Sequence, residues 1–377
     1  MRSDARWAAA GSAASCTLNG TRWAFLAVCS RGTGSSTFDY ADYAERLSGA
    51  EVALVICLWF PDASYNATVL RFRKRFREVF EVGKAESGWG MGKTFRHSNY
   101  VASTVVPLLR GRRVTHVYAQ GHGDRDATLE GQIRSMPPPR PLLAYHAVFS
   151  RNWSPWADSF ATISEYVHGR NANEQLSVVN YIVRPAEDAT PQGSIRAALN
   201  IPRDATVFCG YGGGGSFNIP WVQKIVCRLA SGDGPDGMVF LFANIAAFCD
   251  AKATSPRLIH LPALRREQDK HKFIATCDAM LHARGEGETF GLAIAEFSAA
   301  NKPVITSSNP TLGAFGGRAH LKILGERALL YSDPGSLTAT LRGFNRTVAA
   351  AKDWNAHRQF APEAVMPQFC IVFGGRT

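Results

Sequence analysis

Short apolar runs alternate along this chain with segments whose apolar positions recur at helical spacing. RWAFLAV (22–28) predicts a first strand. The Gly/Ser stretch SRGTGSSTF then reads as a loop, followed by a helix around Tyr40 to Leu47. EVALVICLWF (51–60) predicts a second strand. From about Asn66 to Arg77, Val69, Phe72, Phe76 and Val79 fall on one face at helical spacing. NYVASTVVPLLRG leads into the strand THVYAQ, PLLAYHAVF (141–149) predicts another strand, and SFATISEYV predicts a helix. Strands that alternate with helices in this way imply a parallel sheet covered on both faces.

A second unit of the same kind begins near LSVVNYIVRP (176–185), after which the polar, Pro-containing PAEDATPQGS reads as a loop. DATVFCGYGGGGS predicts a strand and a Gly loop, and a helix starts at Pro220. Then come GMVFLFANI, RLIHLPAL, a helix through DKHKFIATC, AMLHAR and KPVIT. The expected organisation is a flexible tail over 1–20, one α/β unit over 21–175, a second over 176–345, and a helical segment over 346–377 that packs back across both. Two such units face each other over a cleft, and clefts between domains are common ligand sites.

Composition narrows the class. Of 377 residues, 46% are hydrophobic and 19% charged, as in folded globular proteins. No window approaches about 18 uninterrupted apolar residues, so no membrane span is expected. The formal charge of +11 favours an anionic partner without choosing among phosphate, nucleic acid and membrane surface. The eight cysteines (Cys16, Cys29, Cys57, Cys209, Cys227, Cys249, Cys277 and Cys370) form no CxxC pair. That argues against zinc or thioredoxin chemistry. Several lie in apolar runs, which predicts buried free thiols and a reducing, cytoplasmic setting. The Ala/Ser-rich start lacks a clear apolar core and reads as a disordered tail rather than a signal peptide, with an organellar transit peptide as a further option. Sequons at Asn19, Asn66, Asn152 and Asn345 are weak evidence for secretion.

HARGEGETFGLAIAEFSAANKPVITSSN (282–309) carries two carboxylates, Glu288 and Glu296, in a segment that otherwise reads as strand, Gly loop, apolar helix and strand. The start of that helix would lie at the carboxyl edge of the sheet, where open α/β sheets bind ligands and where free N–H groups favour an anion. A carboxylate inside an apolar helix needs donors, because burying it unpaired is costly. A vicinal diol, as on a ribose, would supply two, and a structural ion pair with a nearby base would serve equally.

ETFGLAIAE followed by KPVIT resembles the E-x7-E signature of retaining GT-B glycosyltransferases, family 4 above all. The resemblance implies two Rossmann-like domains facing a cleft. Glu288 would contact the donor sugar, and Phe290, Gly291 and Leu292 would offer backbone N–H groups. Glu296 would hold the nucleotide ribose. His146, at the end of a strand in the first unit, would lie near the sugar, and the Gly/Ser loop 32–36 would face the cleft. The family usually carries an Arg after the first strand of the second domain, with a Lys soon after. Here Gly210 and Gly212 stand there, and the next base is Lys224. The Gly-rich loop, or Arg284, would then meet the phosphates. The implied activity is transfer from a nucleotide diphosphate sugar to a hydroxyl acceptor, without metal or resident cofactor. A non-catalytic nucleotide-sugar-binding protein and a sugar-nucleotide epimerase on a similar fold are the alternatives.

Two other motifs compete. Asp124 and Asp126 in HGDRD form the D-x-D that binds a divalent metal in GT-A enzymes, although so short a motif arises often by chance. RFRKRFRE puts Arg71, Arg73, Lys74, Arg75 and Arg77 opposite Phe72 and Phe76. It reads as a solvated helix face, or as a peripheral contact with an anionic membrane. No base-reading motif supports nucleic-acid binding.

Overall fold

The computed structural model describes residues 17–28, 31–58, 65–82, 105–123, 125, 127–149, 156–167, 176–185, 193–213, 215–250, 255–311 and 316–375. Asp124, Asp126, Cys16, Cys29 and most of the tail lie outside them.

The first sheet has seven parallel strands: β1 (Arg22–Val28), β2 (Glu51–Leu58), β3 (Val79–Val82), β4 (His116–Gly121), β5 (Leu142–Ala147), β6 (Ser159–Thr162) and β7 (Ser177–Val178). Their order is β3-β2-β1-β4-β5-β6-β7. β1 is buried from Trp23 to Val28, as expected of a central strand covered on both faces. The covering helices are α1 (Arg31–Ser48), α2 (Tyr65–Arg75), α3 (Val105–Gly111) and α4 (Ala127–Arg134).

The second sheet runs β10-β9-β8-β11-β13-β15. Its strands are β8 (Thr206–Tyr211), β9 (Met238–Ala243), β10 (Leu258–Leu261), β11 (Ala279–His282), β13 (Val304–Ser307) and β15 (Ala328–Tyr331). β12 (Gly287–Glu288) and β14 (Gly317–Arg318) make a separate small parallel pair. Around them lie α5 (Pro220–Arg228), α6 (Glu267–Thr276), α7 (Leu292–Ala299), α8 (Ala319–Leu324) and α9 (Pro334–Arg342). The chain ends through α10 (Arg346–Ala350) and α11 (Pro362–Phe373). In both sheets the strand order reverses beside the first strand: between β1 and β4, and between β8 and β11. The carboxyl ends of those strands flank the crevice where such sheets bind ligands.

α11 returns to the first sheet. Phe369 packs on Trp23, Tyr40 and Tyr118 with ring centroids 5.2–5.5 Å apart, and Phe373 meets Tyr118 and His146. Trp354 anchors the return, because its carbonyl accepts from the buried Ser298 hydroxyl of α7 at 2.9 Å.

Four expectations give way. SFATISEYV supplies strand β6, not a helix: only Ser159–Thr162 pair, between β5 and β7, and so short a segment shows no period that separates strand from helix. The Gly/Ser stretch after β1 belongs to α1. Its weak intrinsic preference is overridden by a face that buries Phe38, Tyr40, Ala41, Tyr43 and Ala44. Val79 opens β3 and does not continue the face of α2. Finally, four cysteines expected to be free are paired. Cys209 bonds Cys277 and Cys227 bonds Cys249, leaving Cys57 and Cys370 as buried thiols among the described residues. The first pair is brought together because β8, which carries Cys209, lies beside β11, which starts just after Cys277, and the bond joins residues 68 apart in sequence. These bonds remove the ground on which free thiols pointed to a reducing compartment. Among the described residues, no helix is long and apolar enough to cross a membrane.

Candidate active site

The loop after β11 and the helix that follows it occupy the reversal point of the second sheet. Gly291 stands before α7 with φ +90°, a conformation that glycine adopts without strain. No side chain caps this helix, so the N–H groups of its first turn lack intrahelical acceptors and suit an anion. Phe290 is fully buried against Tyr181, His357 and Phe360 and fixes the loop from behind. The first domain also grips it: the Ser164 hydroxyl donates to the Thr289 carbonyl at 2.6 Å.

Glu288 is held from three sides. Arg284 Nη1 donates to Oε2 at 2.9 Å, the His282 ring nitrogen Nε2 lies 3.4 Å from Oε1, and the Glu288 N–H points to His320 Nδ1 at 3.3 Å. Burial alone would raise this carboxyl. The His282 contact and the Arg284 charge outweigh burial and hold it below the usual carboxylate range. His320 is pushed down to about 3, chiefly by burial and then by His282, and stays neutral.

Glu296, just over one turn into α7, faces a different space: a cavity of about 380 Å³ between α1, α2, the 182–185 segment, α6 and α7. Lys270 Nζ lies 2.5 Å from its Oε1 and 3.2 Å from Glu267. Arg71 reaches in from α2 to bridge Glu267 at 3.1 Å and Asp39 at 3.3 Å, while its guanidinium covers the Phe38 ring at 3.9 Å. Arg184 pairs with Asp39 at 2.6 Å. Burial pushes Glu296 up to about 8, with Asp39 adding to the rise and Arg71 opposing it. Lys270, beside its Oε1, is shared with Glu267. Although burial would raise Glu267, Lys270 and then Arg71 hold it at about 2.

The remaining expected residues separate. Leu292 lines the Glu296 cavity, and a Cβ on Gly32 would lie 3.1 Å from its Cδ1, so the start of α1 touches the start of α7. His146 is fully enclosed within the first domain. Its Nδ1 pairs with the Tyr118 hydroxyl at 2.8 Å, and burial lowers it to about 3. The structure therefore does not bring it to either carboxylate. Gly210 is an interior position of β8, where a Cβ would meet the Phe242 ring at 3.0 Å and the Leu281 carbonyl at 3.1 Å. The Gly212 carbonyl already accepts from Asn244 at 2.6 Å. Lys224 is exposed on α5. Arg284 commits its guanidinium to Glu288 and, more loosely, to Glu286.

The basic run of α2 also reads differently. Arg71 enters the cavity, the exposed Arg73 pairs with Glu81, and Arg75 pairs with Asp42 and Glu45, so three of the run's five bases are paired with acids of the protein. That weakens the expected membrane contact, leaving Lys74 and Arg77 exposed. Arg71, Arg184, Glu267 and Lys270 were not foreseen as site residues. The available signal was a run of bases on one predicted helix and an acidic and basic start to another.

No family model matches the chain, and no curated protein is similar to it. Solved structures are. HepE of Anabaena, solved with UDP and glucose, is 14% identical over 94% of this chain and all of that one, with a TM-score of 0.60. A glycosyltransferase from Rickettsia africae is 13% identical, covering 94% of this chain and 96% of its own, at 0.58. WaaG, a glycosyltransferase involved in lipopolysaccharide biosynthesis, is 13% identical over 94% of this chain and all of that one, at 0.58. The fold is GT-B. At these identities the likeness carries the architecture alone.

Proposed function

We propose that this chain is a glycosyltransferase that moves a sugar from a nucleotide diphosphate sugar to a hydroxyl acceptor, with retention and without a metal ion. The observation that carries the reading is the placement of Glu288 and Glu296 on either side of the uncapped start of α7, at the reversal point of the second sheet. The comparison structures solved with UDP and with UDP-glucose support a nucleotide sugar as donor. Glu288, kept ionised by His282 and Arg284, would face positive charge developing at the sugar. The free N–H groups of α7 would meet the leaving diphosphate, and enclosure by the first domain would exclude water. Glu296, with Lys270 beside it, would bind the ribose diol.

The buried, close-packed position of Gly210 favours one other reading, a protein that binds nucleotide sugar without turning it over, because it leaves no room for the usual base there. Incubation with UDP-, GDP- and ADP-sugars separates the two. The transferase releases nucleoside diphosphate slowly into water and does so equally in EDTA, whereas the binder leaves the donor intact. Loss of turnover in EDTA, restored by Mn²⁺, would instead point to Asp124 and Asp126.

A further inference from the structure

Glu288 is the end of a chain of polar contacts that begins deep in the second sheet. His282 closes β11 and Thr306 lies opposite it on β13, in register on neighbouring parallel strands. Thr306 is fully buried and His282 nearly so. The Thr306 hydroxyl lies 2.9 Å from His282 Nδ1, and His282 Nε2 lies 3.4 Å from Glu288 Oε1. The His282 carbonyl is fixed too, accepting from the Tyr331 hydroxyl at 2.8 Å.

These contacts allow one assignment of protons to a neutral ring. A carboxylate only accepts, so Nε2 carries the hydrogen and donates to Glu288. Nδ1 then holds a lone pair and accepts from Thr306. Without the hydroxyl, nothing on that side selects this tautomer, and the ring with its hydrogen on Nδ1 would turn a lone pair towards the carboxylate. Arg284 on the other oxygen supplies charge but leaves Oε1 free to swing. His282 fixes Oε1.

We infer that His282 is a positioning residue for Glu288, set in its tautomer by Thr306, and that the pair governs the turnover step and not nucleotide binding. The inference rests on the glycosyl-transfer reading of Glu288. Nothing in the E-x7-E resemblance names either residue. The role follows from the strand register and the two ring contacts.

Thr306→Val removes the hydroxyl with little change of shape, and Thr306→Ser restores it. Donor turnover, nucleoside diphosphate affinity and the ¹⁵N shifts of the His282 ring are measured for wild type, both variants and Glu288→Gln. Thr306→Val is expected to lower kcat about tenfold with KM for donor and affinity within about twofold, the usual scale for a residue one contact removed from the reacting group. Its ring signals should move from the Nε2–H tautomer towards a mixture, and Thr306→Ser should recover both. If Thr306→Val keeps wild-type kcat while Glu288→Gln loses activity, the positioning role is wrong and the transfer reading stands. A wild-type ring with its hydrogen on Nδ1 overturns the inference without reference to turnover. If Glu288→Gln is fully active, or the wild type turns over no nucleotide sugar, the transfer reading fails and the inference falls with it.

Discussion

Glu288 and Glu296 share a loop and helix, yet their surroundings drive them in opposite directions. Glu288 has an arginine on one oxygen and a histidine on the other and is held below the usual carboxylate range. Glu296 shares one lysine with Glu267, senses Asp39, and rises to about 8. Both are poorly exposed, with 18% and 31% of the side chain accessible, so burial by itself does not separate them. What separates them is which charges stand closest: Glu288 has His282 and Arg284 lowering it, whereas Glu296 has Asp39 raising it against Arg71. Glu288 holds the close contact of Arg284 at 2.9 Å, with Glu286 farther off at 3.8 Å. In the cavity, three carboxylates divide the charge of Arg71, Arg184 and Lys270, and Arg184 is drawn off to Asp39. Two acids pushed apart in this way are suited to different chemical roles, and the proposed transfer would use them so. Glu288 suits a step at which charge appears. In the proposed transfer, Glu296 would suit the hydrogen-bonding grip of a diol.

The largest expected effect tests the first half of that contrast. Glu288→Gln keeps the shape and removes the charge, and should lower kcat by about 10²-fold or more while nucleoside diphosphate affinity holds. Titration calorimetry beside initial rates measures both. An equal loss of affinity would place Glu288 in ground-state binding and dissolve the contrast. Next in size is Glu296→Gln. A residue that grips the ribose equally in ground and transition states should, when altered, raise donor KM by about tenfold and change kcat less. A fall in kcat with KM unchanged would move Glu296 to the reacting end.

The contrast was only half legible in the sequence. The spacing of the two acids, the strand before them and the helix between them could be read because each is local: an apolar run, a Gly-rich turn, a period of 3.6. What surrounds the acids is not local. Lys270 reaches Glu296 across 26 positions, Arg71 reaches Glu267 across 196, and Thr306 meets His282 only through strand register. The same limit explains the misplaced residues. His146 does stand near a strand end, but α11, far along the chain, brings Phe373 against it and closes it off. Gly210 looked like the first glycine of a phosphate loop because the strand and the loop share glycines. The packing of Phe242 and Leu281 assigns it to the strand. Cys209 and Cys277 each read as a lone buried thiol until the sheet order set β8, which carries Cys209, beside β11, which starts two residues after Cys277.

The smallest effect is the one that breaks the contrast most cleanly, since it needs no substrate. An acid whose folded value is raised keeps its proton in the fold while the unfolded chain loses it. Wild-type protein should therefore lose stability relative to Glu296→Gln as pH rises from about 4.5, the value of a free carboxyl, to about 8, and the difference should be flat above that. Glu288 has the opposite sign. Its folded value is lowered, so its ion pair stabilises wild type relative to Glu288→Gln above about 4.5, and that advantage fades as the pH falls below it. Partial solvent access moderates both, so each difference should be on the order of 1 kcal/mol. Unfolding of the two variants and wild type at pH 4, 6 and 8.5 measures them. Between pH 4 and 6 Glu288→Gln should fall behind wild type, and between pH 6 and 8.5 Glu296→Gln should gain on it. Parallel curves for the two variants would mean that the carboxylates feel the same field, and the division of roles drawn from their neighbours would fail.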